Sequence, residues 1–258
     1  MPDKPNEQFS MLDPLNQTRQ DHDFVNGMDE YFQNSLGTNI DKLRHFAKYV
    51  PRQTISLFLA KHALFQQVLG IHGHIIECGV FLGGGLMTWA QLSAIYEPYN
   101  HIRRVIGFDT FTGFVEIDDK DKGKKNLTYT VEGGLTTNAY DDLQEAVRLY
   151  DLNRPIGHIP RVELVIGDAC QTIPDYVQEN PHLVIAMIYL DFDLYTPTKA
   201  AIETFLPRMP KGAVIAFDEL NQAAWPGETL AVLETLGLSK LRIQRFPFTP
   251  QLSFAVLE

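Results

Sequence analysis

The chain has 258 residues, 45% of them hydrophobic, and a formal net charge of −10 from 22 Lys and Arg against 32 Asp and Glu. A core of that size needs no disulfide or metal staple, and the negative balance argues against nucleic acid or an anionic membrane as the main partner. No apolar run approaches the ~20 residues of a membrane span, and the first residues lack the basic and apolar regions of a secretory leader, so a soluble, cytoplasmic protein is expected.

Residues 1–20 are polar, carry three prolines and read as a loose arm. From about Phe24 to Gly70 apolar residues recur at helical spacing. Val25, Met28, Tyr31 and Phe32 form one set; Leu43, Phe46, Ala47 and Val50 a second; Ile55, Phe58, Leu59, His62, Ala63, Phe65 and Val68 a third. Residues 1–70 thus read as an arm and helical cap, which also offers a contact for a homo-oligomer. Strands are expected at about 74–80, 104–109, 161–167, 183–191 and 212–218. Helices are expected at about 84–97, 137–151, 171–179, 197–209 and 227–236. This alternation predicts an α/β domain over 71–258, with a mostly parallel sheet covered on both faces. In the tail, LRIQRFPF and QLSFAVLE read as two strands joined at Thr249-Pro250, a hairpin that adds an antiparallel edge. One polar stretch, 112–136, interrupts the alternation at the ligand edge of the sheet and reads as a lid. Cys78 and Cys170 sit in or beside strands and read as buried thiols.

The stretch from His74 to Asp109 carries the most chemistry. A strand ends in Glu77-Cys78-Gly79, a glycine turn leads into a helix, and a second strand ends on Asp109. Such a turn lets backbone approach a nucleoside, and an acid at the end of the next strand accepts ribose hydroxyls. A dinucleotide fingerprint would read G-x-G-x-x-G, but Phe81 follows Gly79 at two residues. The run is instead E-x-G-x-x-x-G, with Gly83 completing it and Gly84 and Gly85 behind. It looks like the first motif of S-adenosylmethionine-dependent methyltransferases. Gly167-Asp168-Ala169 ends the third strand, where an acid meets an adenine amino group or caps the next helix. Glu77 lies at the methionine end of such a cofactor or orients the turn.

The fourth strand, LVIAMIYLDFDLY, ends in Asp191 and Asp193, two acids on one face at period two. The fifth, GAVIAFDEL, ends in Asp218 and Glu219. Neighbouring strands lie about 4.8 Å apart, so these acids should converge. Crowded carboxylates raise one another's pKa, and a divalent cation relieves the repulsion. An all-oxygen set favours Mg²⁺, with Mn²⁺ or Ca²⁺ as alternatives. Thr196-Pro197 supplies the cap and first residue of the next helix, which leaves Asp191 free of that task. Trp225-Pro226-Gly227-Glu228 reads as a substrate wall or as a turn and helix start.

Taken together, ECGVFLGGG, GFDTFTGF, GDA, LDFDLYTPT and FDELN…PGET resemble the macrocin O-methyltransferase family of metal-dependent sugar methyltransferases, from about Glu77 to Glu228. The resemblance implies a class I methyltransferase, Rossmann-like fold: a mostly parallel seven-stranded sheet with an antiparallel C-terminal strand. It implies S-adenosyl-L-methionine as cofactor, held by Glu77, Gly79, Gly83, Gly84, Asp109, Thr110, Phe111, Asp168, Ala169 and Asp191. It also implies Mg²⁺ on Asp191, Asp218 and Glu219, with Asp191 as general base. Glu219 stands where the family often has Asp. No histidine occurs between His101 and His158, which excludes a histidine base on the lid. The expected acceptor is a small sugar-containing molecule: a deoxysugar, a nucleotide sugar or a glycosylated natural product. A methyltransferase of catechols or phenols, and a catalytically silent nucleotide-binding scaffold, are the alternatives.

Overall fold

The computed structural model describes residues 18–123 and 128–258. The arm expected over 1–20 lies outside the described residues except for 18–20. Two compact units divide the chain at 56/57, short of the boundary expected near 70. The reason is that Leu64, Phe65 and Val68 of the third helix join the core of the sheet unit.

The first unit carries α1 (Arg19–Asn34) and α2 (Asn39–Arg44). Each opens on a capping box, Thr18 with Asp21 and Thr38 with Asp41, so their first N–H groups are satisfied locally. Within the unit Tyr49 stacks on Tyr31 at 5.5 Å and meets Phe32 edge-on at 5.4 Å.

Helix α3 (Arg52–Val68) runs into the second unit, which is an α/β sandwich. Its elements are β1 (His74–Cys78), α4 (Gly84–Tyr96), β2 (Val105–Asp109), α5 (Tyr140–Leu152), β3 (Val162–Ile166), α6 (Ala169–Glu179), β4 (Ile185–Leu190), α7 (Tyr195–Phe205), β5 (Val214–Phe217), α8 (Pro226–Thr235), β6 (Gln244–Arg245) and β7 (Ser253–Val256). The seven strands lie in the order β3-β2-β1-β4-β5-β7-β6. Strands β1 to β5 pair in parallel, and β7 runs antiparallel to β5 and β6. The expected terminal hairpin is present, although β6 is only two residues long.

Period-two alternation sorts the strand side chains into two cores. Ile75, Val105, Met187 and Val214 pack on one face with Leu64, Phe65 and Trp89. Ile76, Ile106, Ile188 and Ile215 pack on the other with Ile173, Ile202, Phe205 and Val232. Both faces are therefore covered, which is why the strands read as unbroken apolar runs. At the amino edge of the sheet two buried arginines saturate backbone carbonyls. Arg103 donates to the carbonyls of Val68 and Ile71, and Arg161 to those of Glu97 and Asn100. The opposite, carboxyl edge stays open at the switch point between β1 and β4, where ligands of such sheets bind. Among the described residues no helix is long and apolar enough to cross a membrane.

Candidate active site

The turn after β1 is fixed by close backbone approach. Gly79 has φ +97°, and a Cβ there would lie 2.0 Å from the Asp191 carbonyl oxygen. Glycine alone lets the ends of β1 and β4 run this close, and the Asp191 N–H donates to the Cys78 carbonyl at 2.8 Å. Gly83, also left-handed at φ +81°, caps α4, and a Cβ there would strike Leu143. Asp109 binds the turn from the neighbouring strand. One carboxylate oxygen accepts the N–H groups of Val80 and Phe81 at 2.7 and 2.8 Å, and the other accepts that of Phe111 at 2.6 Å.

Gly79 and Asp109 border a cleft of about 310 Å³. Gly79, Asp109, Thr110, Asp168, Ala169 and Asp191, all candidate cofactor contacts, line it. Gly113, Phe114, Val115, Glu116, Gly134 and Leu135 of the 112–136 segment form a further wall. Glu77, Gly83, Gly84 and Phe111 do not line it: Gly83 and Gly84 lie at the start of α4, and the Phe111 ring packs on Tyr140. Asp168 caps α6 through the Cys170 N–H at 2.9 Å and also borders the cleft. Both cysteines are free. Burial and Asp168 push the Cys170 thiol up to about 11, which leaves it a poor nucleophile.

Glu77 faces inward beneath the first turn of α4, 2% exposed. Its Oε1 lies 3.5 Å from Lys61 Nζ on α3, and Oε2 has no hydrogen-bond partner among the described residues. Burial raises its pKa to about 7 against the pull of Lys61, with Asp218 and Asp109 pushing the same way as burial. The Lys61 ammonium lies 3.6 Å over the Tyr189 ring and 5.1 Å over Trp89, a favourable cation–π arrangement. Tyr189 in turn donates its hydroxyl to Asp218 Oδ1. Sequence reasoning missed both Lys61 and Tyr189. A signal existed for each: Lys61 falls on the buried helix face with Leu64, Phe65 and Val68, and Tyr189 shares the face of Asp191 at period two.

The acids at the ends of β4 and β5 come together as expected. Leu190 pairs with Phe217, so Asp191 and Asp218 follow side by side. Asp191 and Asp193 line the cleft and stay partly accessible through it. Burial, then Asp218 and Asp193, hold Asp191 well above the usual carboxylate range. Burial and Asp218 raise Asp193 to about 8, and burial, Asp193 and Asp218 raise Glu219 to about 10. Glu228 at the start of α8 is fully buried and accepts the Glu219 N–H at 3.0 Å. The donors are all oxygen and mutually repulsive, which suits a hard divalent cation. Among the described residues, no three of them already stand in a metal-holding arrangement. Four non-glycine residues with positive φ follow the carboxyl ends of β1, β2, β4 and β5: Phe81, Phe111, Asp193 and Asn221. Such strain gathers at functional edges.

One expectation near this edge is corrected. Helix α7 begins at Tyr195 rather than at Pro197 after a Thr196 cap, and Leu194 before it supplies no side-chain cap. The cap comes from Asp121, whose Oδ1 accepts the Tyr195 N–H at 2.6 Å. Trp225 stands directly before Pro226, the first residue of α8, so of its two readings the structure shows the turn and helix start. It is 7% exposed, with Phe114 and Tyr129 of the 112–136 segment against its ring at 5.7 and 6.0 Å. The segment, of which 124–127 lie outside the described residues, is thus seated beside the cleft.

The family model for macrocin O-methyltransferases (TylF) matches residues 59–233, which span the cleft and both acid-bearing strand ends. The chain belongs to the macrocin O-methyltransferase family. Among solved structures this family member is similar to CalS11, described as a calicheamicin methyltransferase, at 34% identity and TM-score 0.89, over 93% of this chain and 94% of that one. An apo structure, described as the TDP-rhamnose 3'-O-methyltransferase CalS11 of calicheamicin biosynthesis, matches at 35% identity and TM-score 0.80, over 93% and 96%. The O-methyltransferase NovP, at 17% identity and TM-score 0.56 over 79% and 80% of the two chains, shares the fold. Comparison with curated protein sequences returns no significant match. The protein is an O-methyltransferase on a class I methyltransferase fold.

Proposed function

We propose that this enzyme transfers a methyl group from S-adenosylmethionine to a hydroxyl of a sugar carried on a small molecule, with Mg²⁺ at the acid cluster. The observation that carries the reading is the crowding of Asp191, Asp193, Asp218 and Glu219 beside a cleft that Gly79 and Phe81 of the glycine turn help to line. Family membership and likeness to a TDP-rhamnose methyltransferase support a deoxysugar, as nucleotide sugar or glycoside, as the acceptor.

In this reading Asp109 and Asp168 hold the ribose and adenine ends of the cofactor, and Gly79 and Thr110 approach it through backbone. Asp191, Asp218 and Glu219 would hold the metal ion. Bound there, the ion would supply Lewis acidity that lowers the pKa of a sugar hydroxyl. Asp191 accepts the hydroxyl proton as the sugar oxygen forms its bond to the methyl carbon and the carbon–sulfur bond breaks. Phe114, Val115 and Leu135 keep water from the reacting atoms, and the seated segment aligns them.

Calorimetry with S-adenosylmethionine, in excess Mg²⁺ or EDTA and with a panel of dTDP-deoxysugars and diphenols, tests the reading. Cofactor binding without metal, and sugar binding only with Mg²⁺, are expected. Asp191→Asn should leave cofactor affinity largely intact and lose about 10²- to 10⁴-fold in turnover. Full turnover in EDTA removes the metal from the mechanism, turnover on diphenols alone replaces the acceptor, and absence of cofactor binding removes the whole reading.

A further inference from the structure

The helix that follows the acid-bearing turn has no cap of its own. The first N–H groups of a helix need acceptors, and Leu194 before α7 offers none. The Tyr195 N–H is satisfied by Asp121, 74 residues away in sequence. The other oxygen of that carboxylate accepts the Asp118 N–H at 2.9 Å and closes the capping box of the short turn 119–121. One carboxylate, 1% exposed, therefore ties the 118–121 turn of the 112–136 segment to the start of α7.

The seat for this carboxylate is built into α8. A Cβ on Gly227 would lie 2.0 Å from Asp121 Oδ1 and 2.6 Å from the Tyr195 nitrogen, so any other residue there would displace the contact. Lys120 adds a second tie, with its Nζ 2.7 Å from Glu234 Oε1 and 3.8 Å over the Tyr195 ring. The turn between β4 and α7 holds Asp193 at φ +62°. Such a conformation persists only where its surroundings over-determine it.

We propose that Asp121 is a positioning residue: by capping α7 when the 112–136 segment is seated, it sets the turn that presents Asp191 and Asp193 to the cleft. Seating of the segment and ordering of the acids become one event. Gly227 is then explained as the receptor of Asp121 rather than as a plain turn residue.

Hydrogen exchange on the full chain tests this, with wild type, Asp121→Ala, Asp121→Asn and Gly227→Ala, each with and without S-adenosylhomocysteine. Asp121→Ala and Gly227→Ala are expected to speed exchange about tenfold in the first turn of α7 and in 118–123 together, while β1 and α4 keep their rates. Asp121→Asn, which keeps one acceptor oxygen, should fall between. Added S-adenosylhomocysteine should protect both segments in wild type and neither in Asp121→Ala. The proposal is overturned if 118–123 opens in Asp121→Ala while α7 keeps its wild-type rate, or if neither segment changes. Should Gly227→Ala fail to fold, Asp121→Ala, which only removes atoms, decides alone. The ligand arm rests on the S-adenosylmethionine reading. If the wild type does not bind the probe that reading fails, and the ligand-free comparison still decides the role of Asp121.

Discussion

Glu77 offers a direct measure of what the acid-rich edge costs the fold. Its carboxylate is buried, with Lys61 at 3.5 Å on one oxygen and, among the described residues, no hydrogen bond on the other. In the folded chain its pKa is about 7, against an ordinary value of 4.5, because burial outweighs the pull of Lys61. Between those two values the unfolded chain has released a proton that the folded chain keeps. The stability tied to Glu77 is thus fully present below about pH 4.5 and is lost as pH rises through about 7. The gap between the two values corresponds to about 3 kcal/mol. Glutamine has no proton to lose and keeps an oxygen for Lys61. Glu77→Gln should therefore be nearly neutral at about pH 5 and more stable than wild type by about 3 kcal/mol above about pH 8. In a protein of this size that gain is a rise of roughly 6–12 °C in Tm. Urea unfolding of both proteins across this range in EDTA isolates the effect, because Asp193 and Glu219 titrate in both and largely cancel. A stability difference that stays flat with pH would refute the reasoning. So would a wild type that gains on the variant as pH rises, since that would mean the Lys61 pair outweighs burial.

Asp109→Asn replaces one of two oxygens that together accept three backbone N–H groups. A loss of about 1–3 kcal/mol in chemical unfolding and weaker binding of S-adenosylhomocysteine are expected, and an unchanged unfolding midpoint would contradict the tethering role. Gly79→Ala places a Cβ 2.0 Å from a backbone oxygen at φ +97° and should cost about 3 kcal/mol or more, whereas Gly84, with nothing within 4 Å, should accept alanine at no cost or with a gain of up to about 1 kcal/mol. Equal losses in the two variants would show that the β1 turn is not held by contact with Asp191. Asp193 and Glu219 ionise in the fold only near about 8 and about 10, so the metal-free protein should lose stability as pH rises towards those values. Mg²⁺ replaces the protons these acids hold, and its thermal stabilisation should be larger at about pH 9 than at about pH 6. A stabilisation that is the same at both, or larger in acid, would speak against binding at this cluster.

What could be read from the sequence followed from short-range rules. The turn after β1 was visible because glycine spacing reports backbone conformation, and Asp109 because the next strand must end beside it. The meeting of Asp191 with Asp218 followed from strand adjacency alone. Glu77 shows where that reasoning stops. The E-x-G-x-x-x-G run places it at the turn but does not say which way the carboxylate faces, and here it turns inward to a lysine on α3. Lys61 reads as an ordinary charged residue unless its helix face is traced, and what it meets there depends on how α3 lies on the sheet. The positive φ of Phe81, Phe111 and Asp193 runs against the rule that reserves such angles for glycine.

Asp121 marks the deeper limit. It sits in the run DDKDKGKK, where every neighbour is polar and nothing separates a surface acid from a buried one. Its burial depends on Gly227, more than a hundred positions later, leaving room beside the Tyr195 N–H. Neither partner alone carries the signal, and Thr196-Pro197 offers the wrong cap by local rules. A cap supplied by Thr or Ser at position 194 would satisfy α7 permanently, whereas a cap on the 112–136 segment satisfies it only when that segment is seated. On the proposed mechanism, the acids are then set in place when the cleft is covered.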